Sequence, residues 1–265
     1  MQIPVNHFKY AIAQRRKQIG LWCSLPGSYA AEIVAATGFD WLLLDTEHSP
    51  SDVLSVLPQL QTLAPYQVNP IVRPASNDPV LIKRFLDIGA QTLLIPYVQN
   101  EVEAERAVAA MHYPPAGIRG VSGLTRATRF GRIDNYAKRA HEELCLLVQV
   151  ETAESLERLE KIALIEGVDG VFIGPADLAA SLGFPGEPNC AVVVSAIEDA
   201  IKRLERVGKP SGILTLDVNF ARRCLMLGAT FVAVGVDVGI LARNAETLAR
   251  EFSPVSEGSD GRKLS

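Results

Sequence analysis

Short apolar runs alternate with amphipathic stretches along almost the whole chain. After a short basic helix at the N-terminus, eight runs of strand length recur, and each is too uniformly apolar to alternate buried and exposed residues. That pattern is typical of parallel strands covered on both faces. The predicted strands span residues 20–25, 41–48, 70–74, 92–98, 144–151, 170–177, 211–216 and 231–237.

The stretches between these runs have the periodicity of helices, and four of them end in glycine. Glycine is common just past the last helical residue because it accepts left-handed backbone. The four glycines are Gly38, Gly89, Gly167 and Gly208. Eight strand–helix units predict an α/β protein, a single (β/α)8 or TIM barrel. A doubly wound open sheet is the alternative, although such sheets usually have fewer strands.

Two segments interrupt the pattern. Residues 112–136 form a long, basic stretch with glycines and prolines, and long loops in compact domains are usually functional or disordered. Because the segment comes after the fourth strand, we expect it to form a lid or rim on the side where barrel sites lie. Residues 253–265 are polar, and we expect a mobile tail there. The predicted domain is therefore a single barrel over residues 1–252.

Composition and charge exclude several classes of protein. Of the 265 residues, 48% are hydrophobic and 21% are charged, which is enough apolar surface for a packed core. The formal net charge of −4 disfavours a nucleic-acid binder. No apolar run approaches the roughly 20 residues that span a bilayer, and the N-terminus does not resemble a signal peptide. The four cysteines are scattered, as expected of reduced thiols in a cytoplasmic protein.

Polar side chains gather where the predicted strands end, which is the face on which barrel enzymes build their sites. The opposite ends of the strands are mostly Gly, Asp or Ala. This asymmetry predicts an enzyme. The strand-end residues are Asp45, Glu47 and His48, then Arg73, then Gln149 and Glu151, then Pro175, Ala176 and Asp177, and finally Asp237.

Glu151 and Asp177 end two neighbouring strands, so their carboxylates can converge. Two hard oxygen ligands with room for water and substrate suit Mg²⁺ or Mn²⁺, with Co²⁺ as a further candidate. Zinc is disfavoured because no second His or Cys is placed to join His48. The alternative is that both carboxylates only cap the helices that follow them, which leaves Gln149 on the same strand face unexplained.

Arg73 and His48 are the other two candidates for chemistry. A guanidinium between apolar neighbours at a strand end needs an anionic partner, either a substrate oxyanion or a structural ion pair with Asp45 or Glu47. An imidazole titrates near neutral pH and is a candidate general base, although a lone His is more often structural. No lysine falls at a strand C-terminus, which argues against imine chemistry.

With these residues in place, the sequence resembles the HpcH/HpaI family of metal-dependent pyruvate aldolases over nearly its full length. The matching stretches are FDWLLLDTEHSP, PIVRP, LIKRFLDIGAQTLLIP, YPPAGIRGV, LLVQVET, GVDGVFIGPADLAASLG and LGATFVAVGVD. The resemblance implies a (β/α)8 barrel with a C-terminal helix exchanged between subunits of a hexamer, a trimer of dimers. It also implies reversible retro-aldol cleavage of a 4-hydroxy-2-oxo acid, chiefly 4-hydroxy-2-oxoheptanedioate, to pyruvate and succinate semialdehyde.

The resemblance also implies roles for single residues. Glu151 and Asp177 match metal ligands, His48 matches a base that acts through water, and Arg73 matches the residue that stabilises the enolate. Asp87 matches an acid that raises the basicity of His48 from a neighbouring subunit, and Asp45 lies near the same His. Gln149 and the Ala176 backbone match pyruvate contacts, and we expect further substrate contacts from Trp22, Gly174, Pro175 and Leu214.

One position departs from the family pattern, and three other functions stay open. The family more often has Gly before the Glu-His pair, where this chain has Thr46. The nearest rival activity is that of a 2-keto-3-deoxy sugar-acid aldolase of the same family. A CoA-thioester lyase would need a basic pocket, which Arg119, Arg126, Arg129 and Arg132 could supply. A non-catalytic barrel is the last alternative.

Overall fold

In the computed structural model, which describes residues 1–252, eight parallel strands close into a barrel in the order of the sequence. The first strand pairs with both the second and the eighth, so the sheet has no edge. The prediction of a (β/α)8 barrel is thus confirmed. The predicted tail at residues 253–265 lies outside the described residues.

The strands and helices alternate around this barrel. The strands are β1 Gln18–Cys23, β2 Trp41–Asp45, β3 Asn69–Arg73, β4 Thr92–Ile95, β5 Cys145–Val150, β6 Gly170–Ile173, β7 Ser211–Leu214 and β8 Phe231–Val236. The helices are α1 His7–Ala13, α2 Ser28–Ala35, α3 Val53–Leu63, α4 Pro79–Asp87, α5 Glu101–Met111, α6 Tyr136–Glu143, α7 Ala153–Glu157, α8 Leu159–Ala163, α9 Pro175–Ser181, α10 Ala191–Arg206, α11 Val218–Met226 and α12 Asp237–Phe252.

Every second strand residue faces the barrel interior, where aromatic rings fill the lower half. Trp41 and Phe231 stand 6.3 Å apart, and Phe8 of α1 closes the bottom against both, at 6.1 Å from Trp41 and 5.7 Å from Phe231. Gly20 and Gly212 make room for these rings, since a Cβ at either position would collide with Trp41 or Phe231. The packed floor leaves only the upper rim open to a ligand.

Several strands end earlier than the sequence pattern predicts. The strand β6 stops at Ile173 because Pro175 begins α9, and proline is favoured in the first helical turn. The strand β4 stops at Ile95, immediately before Pro96. The residues left over at these ends are not paired in the sheet, so they are available to build the rim.

The four glycines predicted to follow helices do so with left-handed backbone. Their φ angles are 98° at Gly38, 94° at Gly89, 95° at Gly167 and 70° at Gly208. This is the conformation that glycine adopts without the steric cost that a Cβ imposes.

The expectation that residues 112–136 form a lid over the strand ends is wrong for this chain. The segment follows α5, not β4, so it begins at the opposite end of the barrel. There Arg126 donates to the carbonyls of Ile88 and Leu60, just past α4 and near the end of α3. Since helices of a barrel end at the face where its strands begin, this loop covers the N-terminal face.

The last helix, α12, is poorly covered by its own chain. Every residue from Ile240 to Phe252 is exposed, including Leu241, Leu248 and Phe252 with exposed fractions of 62%, 59% and 80%. A soluble helix usually buries its apolar face, so this surface is suited to a partner. No helix among residues 1–252 has the length and apolar character that crossing a membrane requires.

Candidate active site

A buried ion pair joins the ends of β2 and β3. Asp45 and Arg73 are the last residues of these strands and lie opposite each other in register. The carboxylate of Asp45 accepts two hydrogen bonds from the guanidinium, 2.8 Å from Nε to Oδ1 and 2.7 Å from Nη2 to Oδ2. Both residues are buried, with exposed fractions of 3% and 5%. The planar fork of arginine suits this two-point contact.

Two further groups hold the guanidinium of Arg73. Its Nη1 lies 2.7 Å from Oε2 of Glu47, and its Cζ stands 4.8 Å from the ring centroid of Trp22. The Trp22 indole also donates to Asp45 at 3.2 Å. Trp22, predicted to contact substrate, therefore lies beneath the ion pair. These contacts use three of the five guanidinium N–H groups, which leaves two without a partner among residues 1–252.

Thr46 ties the two strand ends together. Its backbone N–H and its hydroxyl both donate to the carbonyl of Arg73, at 3.1 Å and 2.7 Å. The residue that departs from the family pattern thus fixes the backbone of Arg73. A glycine at this position would keep the first bond and lose the second.

The carboxylate of Glu151 lies just past β5 and is almost fully buried, with 1% of the residue exposed. The backbone N–H of Tyr97 donates to its Oε1 at 2.9 Å, and the amide of Gln149 donates to its Oε2. Gly174 leaves the space that Glu151 occupies, because a Cβ there would collide with this carboxylate. Asp177 stands in the first turn of α9 and is exposed.

Like charges crowd this side of the rim. Burial raises the pKa of Glu151 to about 7, and the charges of Asp177 and Glu47 add to the rise against the hydrogen bond from Gln149. Burial also raises the pKa of Glu47, with Arg73 and His48 opposing the effect. For Asp45, burial acts upward too, but the hydrogen bonds and charge of Arg73 outweigh it and leave the pKa below its ordinary value.

The carboxylate side of the rim fits a small divalent cation. Its donors are hard oxygens, which Mg²⁺ and Mn²⁺ prefer. The Oε1 atom of Gln149 is buried without a hydrogen-bond partner, and burial, with added repulsion from Asp177 and Glu47, raises the pKa of Glu151. Residues 1–252 contain no group of three or more His, Cys, Asp or Glu side chains arranged for a metal. The pair of Glu151 and Asp177 therefore stays a prediction.

His48 stands at the open edge of the site. Its side chain is 63% exposed, and its Nε2 lies 3.8 Å from Oε2 of Glu47. The carboxylate of Asp45 is engaged by Arg73, Trp22 and the backbone N–H of Glu47, and does not bond the imidazole. The accessible imidazole is placed to exchange a proton with a ligand or a water.

Asp87 is not part of the rim within this chain. It is the last residue of α4, which ends at the N-terminal face, and its Oδ1 accepts from Nη2 of the buried Arg119 at 2.7 Å. Arg119 also stands 4.4 Å over the ring of Tyr113. The same chain therefore cannot bring Asp87 to His48, and any contact between them must join two subunits.

The other predicted contacts lie at the ends of β6 and β7. Leu214 ends β7 half-buried against the interior cluster, Gly174 is buried, and Pro175 and Ala176 open α9 on the rim. Asp237, the remaining polar residue noted at a strand end, has a structural role. It accepts from the backbone N–H groups of Ser24 at 2.8 Å and Leu25 at 3.1 Å, so it links β8 to β1.

Two residues of the rim were not assigned a role from the sequence. Glu47 is one of the polar residues at the strand ends, and its position next to His48 is the sequence signal that points to a role in the site. Tyr97 gave no signal, because its contribution comes from a backbone N–H. Together the rim presents a guanidinium with two free N–H groups, an acidic oxygen cluster and an accessible imidazole, which is suited to binding an oxyanion and moving a proton.

Replacing Asp45 with asparagine tests the energetic weight of the ion pair. Breaking one partner of a buried pair costs about 3–5 kcal/mol, so we expect Asp45→Asn to lower the free energy of unfolding by about 3 kcal/mol at pH 7. Because the pKa of Asp45 is lowered on folding, this difference is full above about pH 4 and is lost as the pH falls below it. Urea unfolding at pH 7, 5 and 3 measures both effects.

The matched control is Glu246→Gln, which breaks an exposed ion pair with Arg243 on α12. Exposed pairs contribute about 0–1 kcal/mol, so this variant should unfold almost as the wild type does. Equal losses in the two variants, or a loss at Asp45 that is no smaller at pH 3 than at pH 7, would contradict a stabilising ion pair beneath the site.

Comparison with known proteins gives the same picture of the chain. Residues 18–244 match the model of the HpcH/HpaI aldolase/citrate lyase family. A pyruvate aldolase from Rhizobium etli is 70% identical over 253 residues, 96% of this chain and 100% of the relative. A 4-hydroxy-2-oxo-heptane-1,7-dioate aldolase from Salmonella heidelberg is 56% identical, covering 93% of this chain and 94% of the relative.

A solved structure agrees with the fold as well. The crystal structure of a HpcH/HpaI aldolase/citrate lyase family protein from Burkholderia cenocepacia superposes with a TM-score of 0.90 at 36% identity, covering 93% of this chain and 99% of that one. The match of the family model, the high identity to the two aldolases and the shared barrel lead to one conclusion. The chain belongs to the HpcH/HpaI aldolase/citrate lyase family.

Proposed function

We propose that this protein is a divalent-metal-dependent pyruvate aldolase that cleaves 4-hydroxy-2-oxoheptanedioate to pyruvate and succinate semialdehyde, reversibly. The observation that carries the proposal is the convergence on one rim of Arg73, with two free N–H groups, the Glu151 and Asp177 carboxylates, and the accessible imidazole of His48. The names of the two relatives, a pyruvate aldolase and a 4-hydroxy-2-oxo-heptane-1,7-dioate aldolase, support the choice of substrate.

Glu151 and Asp177 are the residues that would hold the metal ion. When bound, a divalent cation supplies Lewis-acid polarisation of the 2-oxo group of the substrate. Gln149 keeps Glu151 in place through its amide donor, and its unpartnered Oε1 is the neighbouring polar atom that faces no protein donor. The proposed metal site thus combines a buried carboxylate, Glu151, with an exposed one, Asp177.

His48 is assigned the proton transfer. The imidazole, acting directly or through a water, takes the proton of the C4 hydroxyl group while the C3–C4 bond breaks and the aldehyde forms. The bonding electrons pass to the pyruvate fragment as an enolate. The proton held by His48 then returns to C3 and completes pyruvate, so the reaction balances without an added reactant.

Arg73 is assigned the stabilisation of the enolate. Its two free N–H groups are donors held in place before the reaction by Asp45, Glu47 and the ring of Trp22. Donors fixed where negative charge develops lower the barrier because they need no reorganisation at the moment of reaction. The ion pair that looked like an alternative to catalysis is therefore the device that aims the guanidinium.

Pyruvate release from 4-hydroxy-2-oxoheptanedioate tests the function directly. We expect release with Mn²⁺ or Mg²⁺ and its loss in excess EDTA, restored when the metal is added back. A parallel assay with 2-keto-3-deoxy sugar acids separates this substrate from the nearest rival. Absence of release with every divalent metal would overturn the proposal, and faster cleavage of the sugar acids would change its substrate.

The metal site can be tested without turnover. Folding raises the pKa of Glu151 to about 7. In the metal-free protein, the protonated carboxyl therefore contributes to the free energy of unfolding below about pH 4.5, and this contribution is lost as the pH rises through about 7. A metal must displace the proton that Glu151 holds below pH 7, so affinity should rise about tenfold between pH 6 and 8. The rise in melting temperature on adding Mn²⁺ should therefore be larger at pH 8.

Two variants give this measurement its control. Glu151→Gln is expected to lose the stabilisation by Mn²⁺, whereas Glu246→Gln, on exposed α12, should retain it. Stabilisation by Mn²⁺ that is equal in both variants would mean that the ion binds elsewhere on the protein.

The proposal includes a homo-oligomer, a hexamer built as a trimer of dimers. The uncovered apolar residues of α12 support exchange of this helix with a second copy. The position of Asp87 supports the rest, since this residue can approach His48 only from another subunit. Arg119, buried beneath Asp87, holds that carboxylate at the surface where a neighbour can contact it.

Mixed oligomers test whether Asp87 acts across subunits. His48→Ala and Asp87→Asn should each lower pyruvate release strongly, and co-expression of the two chains with different tags should restore part of it. The reason is that an Asp87→Asn chain still supplies His48, while its His48→Ala neighbour supplies Asp87. Mixed oligomers no more active than the two variants alone would contradict action across the interface.

The contacts made by the loop at residues 112–136 disfavour a CoA-thioester lyase. Arg119 is buried in its ion pair, and Arg126 is bonded to two carbonyls on the face opposite the rim, so neither is free beside the substrate. A cytoplasmic location completes the proposal, and the four unpaired cysteines support it.

A further inference from the structure

Tyr97 has an unusual conformation at the rim. It is two residues past the end of β4, and its φ angle is 55°, in the left-handed region. Residues other than glycine pay roughly 1–2 kcal/mol to adopt this backbone, and such residues concentrate at functional sites. An aromatic residue there needs a reason beyond the fold.

The backbone on both sides of Tyr97 is fixed by β5. The N–H of Tyr97 donates to Oε1 of Glu151 at 2.9 Å, and the N–H of Val98 donates to the carbonyl of Gln149 at 3.0 Å. Pro96 and Val98 are buried, yet Tyr97 between them is 57% exposed. The left-handed turn thus brings an N–H to Glu151 and leaves the aromatic side chain of the same residue exposed.

The phenol of Tyr97 is also chemically free. Its hydroxyl has no hydrogen-bond partner among residues 1–252, whereas the hydroxyls of Tyr10 and Tyr66 bond Glu143 and Glu32. The backbone N–H of Tyr97 contacts the carboxylate of Glu151, which cannot donate a hydrogen bond when ionised. A neutral O–H donor on an acidic rim is suited to an anionic end of a substrate that extends past the reacting carbons.

We propose that Tyr97 is a specificity-determining residue for the aldehyde half of the substrate, and that its hydroxyl donates a hydrogen bond to a carboxylate at the far end of that half. This inference rests on the proposed aldolase function and makes it narrower. It predicts that the protein prefers acid semialdehydes to alkyl aldehydes of the same length. The left-handed backbone fits this role, since it holds the main chain of Tyr97 against Glu151 and leaves the phenol exposed.

Aldol addition to two acceptors that differ only in the terminal group tests the proposal. With saturating pyruvate and Mn²⁺, the ratio of kcat/KM for succinate semialdehyde to that for butanal is measured for wild type, Tyr97→Phe and Tyr97→Ala. We expect the ratio to fall about tenfold in both variants, the loss typical of a hydrogen bond to a charged group. Damage to the metal site affects both acceptors equally and cancels in the ratio.

Tyr66→Phe is the matched control, because it also removes a tyrosine hydroxyl but lies after α3, away from the rim. Its ratio should equal that of the wild type. A lower melting temperature of the Tyr97 variants with an unchanged ratio would overturn the proposal in favour of a structural role. A wild type that neither adds pyruvate to either aldehyde nor releases pyruvate would overturn the aldolase function itself, a result distinguishable from an unchanged ratio.

Discussion

The burial of one guanidinium constrains the whole rim of this barrel. A charge removed from water is costly unless it is paired and hydrogen-bonded, and Arg73 is 5% exposed at the end of β3. Asp45 meets it through the parallel register of β2 and β3, and Thr46 fixes its backbone from the same strand. The geometry that satisfies the charge is thus supplied by neighbouring strand ends, and it leaves two N–H groups directed away from these partners.

The barrel interior supports this arrangement from below. Large rings from β2, β6 and β8 fill the lower barrel, and the ring of Trp22 closes the upper part of that packing, 5.5 Å from Phe172. A close-packed floor has low compressibility, so the ring of Trp22 limits the movement of the guanidinium above it. The opposite requirement holds at Gly174, where the lack of a side chain lets Glu151 occupy its place. The packed rings beneath Arg73 and the missing side chain at Gly174 therefore both position polar groups.

Much of this could be predicted from the sequence because a parallel strand carries its inward face through to its end. Residues two apart share a face, so Leu43 and Asp45, or Ile71 and Arg73, follow directly from the barrel assignment. The loop at residues 112–136 was misplaced because the weakly apolar, Ala-rich helix α5 before it was overlooked. Tyr97 was missed because left-handed backbone at an aromatic residue has no local sequence signal. The second bond of Thr46 depends on a neighbouring strand and was equally inaccessible.

The guanidinium of Arg73 does not neutralise all the carboxylates of the rim. Arg73 donates two hydrogen bonds to Asp45 and forms an ion pair with Glu47. Among residues 1–252, no ion pair joins Glu151 or Asp177 to a cationic side chain, and burial, with added repulsion from Asp177 and Glu47, raises the pKa of Glu151. A second cation on their side would leave a developing oxyanion between two positive groups that approach it from different strands. Under the proposed function, this division of the carboxylates would make the space between the two cations suited to stabilising an enolate.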